Sequence, residues 1–262
     1  MPSFEGVAPG ATATLRLPVG LTYEQLLIKY SGATLAQLTE IRVVANGKTI
    51  HRYAGGGSRL DLLNKFEGRA AAAGTIVLDF NRFGLRTREA EELTALGTGI
   101  APNEQFPVTI STLAVEVDIA GAAVGPALSA RAIQSAPRPL GLLKHIREYT
   151  YQAPAVGEYE ISDLPKGPLI GKILFHSANI AAVRIERDNF TVFERTAAEN
   201  SQIQTDGIRV PQAGVFVFDP AEAGLGSEAL ETLGVNDLRF KLTMSAAGAV
   251  PVTVEALAPL GV

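Results

Sequence analysis

The chain has 262 residues and no cysteine, which excludes disulfide bonds and thiolate metal sites. Its formal net charge of -4 argues against packing along nucleic acid, which needs a concentrated cationic surface. No stretch reaches the ~18 apolar residues of a membrane-spanning helix and nothing at the N-terminus marks the chain for export, so we expect synthesis in the cytoplasm.

The first half of the sequence predicts a series of short strands separated by turns. Apolar runs with the alternation or β-rich composition of strands occur at 12–17, 26–30, 41–45, 49–53, 75–80, 107–111 and 113–117. Asn46 and Gly47 lie between two of these runs and predict a two-residue hairpin turn, because both turn positions need positive φ. Residues 91–97 carry leucines three apart and end on Gly97, which predicts a short helix.

Prolines cluster in the middle of the chain, at positions 126, 137 and 139. Such a stretch is typical of a boundary between structural units. We predict an ordered connector over residues 126–157.

The second half of the sequence predicts the same kinds of element. Strand-like runs occur at 157–161, 171–175, 182–187, 190–193, 207–210, 215–218, 238–244 and 250–256. Asp188 and Asn189 predict the hairpin turn of this half, since both residues tolerate positive φ. Residues 228–234 again carry leucines three apart and end on Gly234, which predicts a second short helix.

The landmarks of the first half return in the second half in the same order. Leu17-Pro18-Val19-Gly20 is matched by Leu164-Pro165-Lys166-Gly167, and each is followed by a strand, a hairpin, a β-rich run, a short helix and a further strand. About eight strands per half, with one short helix late in each, predict an all-β fold of two tandem jelly-roll β-barrels. The first barrel is predicted over residues 1–125 and the second over 158–262.

Groups that could carry catalysis are sparse. His51, His145 and His176 stand apart, and no H-x-H pair with a following glutamate marks a cupin metal site. No G-x-S-x-G nucleophile elbow is present, and the Gly-Gly-Gly-Ser run at 55–58 is interpreted as a loop because it lacks the lysine of a phosphate cradle. We predict a protein that is not an enzyme, with no catalytic, cofactor-binding or metal-ligating residue, and with His51 and His176 in local hydrogen bonds.

Aspartates near the ends of predicted strands leave open one cofactor, a structural calcium ion. Loops there could assemble the oxygen ligands that calcium prefers, from Asp79, Asp118, Asp206 and Asp219. No EF-hand-like spacing supports such a site. Structural calcium between subunits therefore stays open.

One basic cluster lies in the predicted connector. It consists of Arg138, Lys144, His145 and Arg147. We interpret it as a solvated or subunit-contacting segment, with contact to an anionic surface such as lipid headgroups as the alternative.

Several stretches resemble a known family. They are Leu17 to Gly20, Thr22-Tyr23-Glu24, Tyr30-Ser31-Gly32, the Ala-Leu-Gly-Thr run at 95–98, the stretch DIAGAAVGPALSARAIQS at 118–135, and Ile161-Ser162-Asp163-Leu164-Pro165. The sequence resembles the major capsid proteins of corticovirus-type phages, which are tailless icosahedral double-stranded DNA viruses with a membrane inside the shell. The similar blocks span about residues 15–55, 95–135 and 158–195.

The resemblance implies a structural protein of the virion. It implies a double jelly roll that trimerises into pseudo-hexagonal capsomers, which tile an icosahedral shell around an internal lipid membrane. The implied partners are other copies of the chain, neighbouring capsomers, a vertex (penton) protein and viral membrane proteins, with no sequence-specific binding of nucleic acid. The resemblance carries over no catalytic residue and no calcium ligand.

Two other functions fit a tandem jelly roll. A glycan-binding module would display aromatic platforms for stacking on sugar rings, and the chain has no tryptophan and 6% aromatic residues. An enzyme on a cupin-like scaffold would need the metal ligands that the sequence lacks. The capsid interpretation is therefore preferred, and the glycan-binding module is the alternative.

Overall fold

The computed structural model describes residues 2–100 and 108–261. The chain forms two compact units, unit 1 comprising Met1–Ile146 with Ala258–Val262, and unit 2 comprising Arg147–Leu257. Strands make up 45% of the residues and helices 12%, so the expectation of an all-β fold is confirmed.

Unit 1 is built from two groups of paired strands. Its strands are β1 (Thr12–Leu17), β2 (Thr22–Ser31), β3 (Leu38–Ala45), β4 (Lys48–Tyr53), β5 (Thr75–Asp79), β6 (Leu96–Gly97), β7 (Leu113–Ile119), β8 (Ala127–Ser135) and the start of β9 (Leu143–Ala153). One sheet has the order β1-β7-β3-β4, and β4 then meets β9 at the parallel pair His51 and Ile146. In the other group, β2 pairs antiparallel with β5, β6 and β8.

Unit 2 repeats this arrangement. After β9 it contains β10 (Gly157–Ile161), β11 (Leu169–Phe175), β12 (Ile180–Arg187), β13 (Phe190–Thr196), β14 (Phe216–Phe218), β15 (Leu238–Met244) and β16 (Gly248–Ala258). One sheet has the order β10-β15-β12-β13, and the other has the order β9-β16-β11-β14. A single core cluster draws buried residues from both sheets, among them Phe175, Phe218 and Phe240. Unit 2 is therefore a sandwich around one apolar core.

The two units correspond strand by strand. The sheet β1-β7-β3-β4 is matched by β10-β15-β12-β13, and the pairing of β2 with β5 and β8 is matched by that of β11 with β14 and β16. The predicted hairpin turns are also present, with φ of 49° at Asn46, 75° at Gly47, 49° at Asp188 and 67° at Asn189. The duplication inferred from the order of sequence landmarks is thus a duplication of topology.

Two helices were not expected from the sequence, and they too occupy corresponding places. Helix α1 (Gly56–Phe66) follows β4, and the helix after β13 spans Ala197–Gln204. Asn64 donates its side-chain amide to the carbonyl of Val77 on β5 (2.9 Å). Asn200 donates to the carbonyl of Val217 on β14 (2.8 Å) in the same way. Each helix is therefore held to the middle of the corresponding strand by a polar contact, which hydrophobic periodicity does not reveal.

The two predicted short helices were wrong in position or type. Helix α2 spans Arg88–Glu92, where the side chain of Thr87 accepts the backbone N–H of Ala90, and the predicted end Leu96–Gly97 is strand β6. Numbered in chain order, Ala197–Gln204 is then α3. The second predicted helix reduces to a 3₁₀ turn at Gly226–Glu228. As a result Leu96 and Leu230 are buried, whereas Leu93 and Leu233 point to solvent.

Other predicted boundaries also differ from the structure. Residues 108–111 and 207–210 form no strand, and residue 107 lies outside the described residues. The predicted connector 126–157 contains β8 and β9, and the division between the units falls inside it, after Ile146. Its first part belongs to unit 1 and its last part to unit 2, because both strands are paired within a unit rather than left as a linker.

Candidate assembly surface

The three histidines are structural side chains of the β framework. His51 on β4 is buried, and its Nε2 lies 2.9 Å from the carbonyl oxygen of Lys144. The ring also packs against Phe80, with a centroid separation of 5.6 Å. His145 is buried on β9, and Nε2 of His176 lies 2.9 Å from Oγ1 of Thr253. None of the three faces an open cleft with a carboxylate cluster in the described part of the chain.

Acid is expected to destabilise unit 1 through His51. Burial, reinforced by the charges of Lys144 and His145, holds the pKa of His51 well below its ordinary 6.5. The folded state therefore keeps this ring neutral, whereas the unfolded chain binds a proton as the pH falls below about 6.5. Stability contributed by the neutral ring is present above that pH and decreases below it, by at most about 1.4 kcal/mol per pH unit.

Thermal unfolding at pH 7.5 and pH 5.0 tests this expectation. His51→Gln keeps a hydrogen-bond donor near the Lys144 carbonyl but does not titrate. We expect the loss of melting temperature on acidification to be smaller in this variant than in the parent. Equal losses in the two proteins would contradict the assignment.

The aspartates of unit 1 that were candidates for calcium are engaged by arginines. Asp118 accepts two bonds from Arg42, at 2.7 and 3.0 Å, and these hold its pKa below the usual value. Asp79 is buried, pairs with Arg69 and accepts the backbone N–H of Asn81 at 3.0 Å. Each carboxylate thus already has a cationic partner from its own unit.

The aspartates of unit 2 share one arginine. Arg209 donates from Nε to Asp219 (2.8 Å) and from Nη1 to Asp206 (2.9 Å). Across residues 2–100 and 108–261, no group of three or more His, Asp or Glu side chains has the arrangement of a metal site. These aspartates do not fit a calcium ion, because their oxygens face guanidinium and backbone N–H groups instead.

Two of the four residues in the basic cluster predicted in the connector, Lys144 and His145, are internal, which corrects the interpretation of that part as a solvated or lipid-facing segment. Lys144 is buried and donates from Nζ to the carbonyl of Asn81 at 2.8 Å, and His145 beside it is buried as well. Arg138 pairs with Glu92 at 2.5 Å. Lys144 and His145 are consecutive residues of β9, a strand buried on both faces at this point, so neither of them contributes to a cationic surface. Arg138 is exposed and Arg147 is half-buried.

Clefts in the described residues are open to solvent, and their linings mix polar and apolar groups. One in unit 2, of about 520 Å³, lies between Phe193, Asp219 and the 3₁₀ turn, and Arg195 and Glu222 form an ion pair beside it. None of the described helices combines the length and the hydropathy of a membrane span.

Several described strands lie at the edge of a sheet, and two of these edges, β8 and β13, belong to strands with many exposed side chains. Strand β8 pairs only with β2 among the described strands, and every second residue at its start is exposed. Strand β13 pairs only with β12, and it is exposed along most of its length, including Phe190 and Val192. Because free strand edges favour pairing with other chains, these two edges are suited to association.

Comparison with known proteins agrees with a role in assembly. The family description "Viral coat protein P2 N-terminal domain" matches residues 1–135, and "Viral coat protein P2 C-terminal domain" matches residues 143–260. The major capsid protein P2 of Pseudoalteromonas phage PM2 is 32% identical over 195 residues, which cover 71% of this chain and 68% of that protein.

Solved structures give the same result over the whole chain. The crystal structure of the major capsid protein P2 from bacteriophage PM2 superposes with a TM-score of 0.90 at 26% identity, covering 100% of this chain and 96% of that one. A chain in the atomic structure of Sulfolobus Turreted Icosahedral Virus superposes with a TM-score of 0.70 at 10% identity, over 99% and 90% of the two chains, and shows the fold alone. The predicted double jelly roll is therefore confirmed, and the chain belongs to the viral coat protein P2 family.

Proposed function

We propose that the chain is the major capsid subunit of a tailless icosahedral phage and forms the shell of the virion. The observation that carries this proposal is the match of both coat-protein domains, in order, together with a TM-score of 0.90 over the full chain. The protein is structural and not an enzyme, in keeping with its family. Its activity is association with other copies of itself.

Trimerisation into pseudo-hexagonal capsomers is the form of association that the duplication supports. A lattice tile with six similar lateral faces can be made from three copies of a subunit that contains two similar units. The correspondence of β1-β7-β3-β4 with β10-β15-β12-β13 supplies that similarity. On this proposal the capsomers tile a shell over an internal lipid membrane, and a vertex protein and viral membrane proteins are further partners.

A glycan-binding module is the weaker proposal. Sugar rings are bound by stacking on exposed aromatic faces, and the chain contains no tryptophan. Among the described residues, Phe190 is the one large aromatic side chain that is mostly exposed. The comparisons lend no support to glycan binding.

Molar mass in solution tests the proposed function. We expect light scattering on a size-exclusion column to give about 83 kDa, three times the chain mass of 27.6 kDa. The mass should be unchanged in the presence of a chelator if no calcium is needed for the trimer. A protein that stays at the monomer mass up to millimolar concentration, and binds an immobilised glycan, would refute the capsid proposal in favour of the alternative.

A further inference from the structure

Because the two units correspond strand by strand, the neighbours of each strand can be compared with those of its counterpart in the other unit. In unit 1, β4 has β9 as its second neighbour, through the pair His51 and Ile146. In unit 2, the corresponding strand β13 has no second neighbour among the described strands. One member of this corresponding pair therefore has a second strand beside it, joined at one residue pair, and the other has none among the described strands.

Strands β8 of unit 1 and β16 of unit 2 also correspond, and here the strand of unit 2 has the second neighbour. In unit 2, β16 lies between β11 and β9, and Thr253 of β16 donates to Glu148 of β9 (3.3 Å). Most residues of β16 are buried. In unit 1, the corresponding strand β8 has β2 as a neighbour and nothing on its other edge in the described structure, and residues such as Ser129, Arg131 and Ile133 are exposed.

The edges of β8 and β13 lack the side chains that usually protect an edge strand. Natural edge strands are usually blocked by lysines, prolines or bulges that discourage pairing with another chain. Strand β8 runs for nine residues with no proline, no lysine and a single charge, Arg131. Strand β13 has no proline and no lysine either, although its pairing with β12 contains one bulge, at Val192. Edges of this kind are suited to pairing with a strand from another molecule.

The two edges also complement each other. Strand β8 presents the apolar Ile133 and the cationic Arg131, both exposed. Strand β13 presents the apolar Val192 and the anionic Glu194, both exposed. Arg195, the cation on β13, is held by Glu222 of its own unit. An apolar contact flanked by opposite charges is therefore available between β13 and β8, but not between two copies of β8.

We propose that β13 of one copy of the chain lies along the open edge of β8 of the next copy, and that this contact joins the subunits of the trimer. The proposal rests on the proposed function and adds the surfaces by which the copies meet. In this arrangement β8 and β13 cover each other. Their counterparts β16 and β4 each lie next to β9 of the same chain. Because the contact joins two different surfaces, it is heterologous, and three such contacts close a ring.

Cross-linking tests the proposal directly, because the chain has no cysteine of its own. Ser129→Cys places a thiol on β8 and Thr196→Cys places one on β13. Both positions are exposed, and they face each other when Ile133 meets Val192 and Arg131 meets Glu194 in antiparallel register. With a short flexible bismaleimide, the double variant should give covalent dimers and trimers and nothing larger. Each single variant should give almost no cross-linked product.

The outcomes of this experiment separate the contact from the proposed function. Efficient cross-linking of Ser129→Cys alone would indicate that β8 meets β8, and would overturn the proposal. A double variant that runs as a trimer on the sizing column but does not cross-link would overturn the proposal while leaving the capsid function intact. A double variant and a parent that are both monomeric would instead refute the trimer itself.

Charged substitutions give an independent test in solution. Ile133→Lys and Val192→Lys place a lysine on the two edges, as natural edge strands do to prevent pairing. Val156→Lys is the matched control, since Val156 is also exposed but lies in the turn between β9 and β10. We expect both edge variants to shift from trimer to monomer at micromolar concentration with unchanged circular dichroism, and the control to remain trimeric. Trimers in both edge variants would contradict the proposal.

Discussion

Replacing Gly56 by alanine is expected to prevent unit 1 from folding stably. Gly56 begins helix α1 with φ of +56°, and a Cβ built on it would lie 1.7 Å from the carbonyl oxygen of Leu38. That oxygen belongs to the backbone of a sheet strand, so it cannot move aside without breaking the pairing of β3. We expect a loss of at least about 4 kcal/mol, at the extreme end of single substitutions.

Gly47→Ala is the matched control for this effect. Gly47 also has positive φ, +75°, but nothing lies within 4 Å of a Cβ built there. Its replacement should cost only the conformational penalty of a left-handed residue, about 1 to 2 kcal/mol. Urea denaturation followed by circular dichroism compares the two. If Gly56→Ala and Gly47→Ala had the same midpoint, the close approach of α1 to the backbone of Leu38 would be wrong.

Asp219→Ala is expected to destabilise unit 2 by about 3 to 5 kcal/mol, the range for breaking a buried ion pair. The side chains of Arg209 and Asp219 are each only 4% exposed. Arg209 also donates to the carbonyl oxygens of Ala221 (3.2 Å) and Glu222 (3.1 Å), which fix the guanidinium in place. Asp206, the other carboxylate on Arg209, contacts Nη1 and is 26% exposed, so removing Asp219 would leave the buried Nε of the guanidinium without its partner.

An exposed pair in the same unit provides the comparison. Asp237 and Arg239 are 34% and 41% exposed, and their contact is 2.8 Å. Asp237→Ala should cost less than about 1 kcal/mol, as is usual for surface pairs. Chemical denaturation at low and high salt measures both, and the effect of Asp219→Ala should depend little on salt because the pair is buried. If both variants lost the same free energy of unfolding, the ion pair between Arg209 and Asp219 would be no stronger than a surface pair, and the prediction would be wrong.

Association, rather than chemistry, is where the function of this chain resides. The polar groups that a search for catalysis would single out, such as His51, Lys144 and Asp219, are used inside the units. Among the described strands, β8 and β13 each have one edge with no strand partner and many exposed side chains. A shell protein needs polar groups inside each unit to keep the fold rigid, and it needs free surfaces to contact neighbouring copies.

The amino-acid sequence by itself determined the strands and turns whose signals are local. β1, β10 and β15 begin and end at the predicted residues, because alternation and flanking turn residues mark them. The Asn46-Gly47 turn was equally clear, since few residues other than Asn, Asp and Gly adopt positive φ. The order of such landmarks was enough to reveal the duplication, and with it the class of fold.

The tertiary structure decided the features that depend on which segments lie next to each other. Helix α1 begins in a glycine run that locally favours a loop, because only glycine permits its close approach to the backbone of Leu38. Strands β8 and β9 fell in a proline-rich segment and became strands because neighbouring strands offered backbone partners. Whether a strand edge is covered, as for β16, or open, as for β8, depends on contacts between residues distant in the chain, which no local pattern encodes.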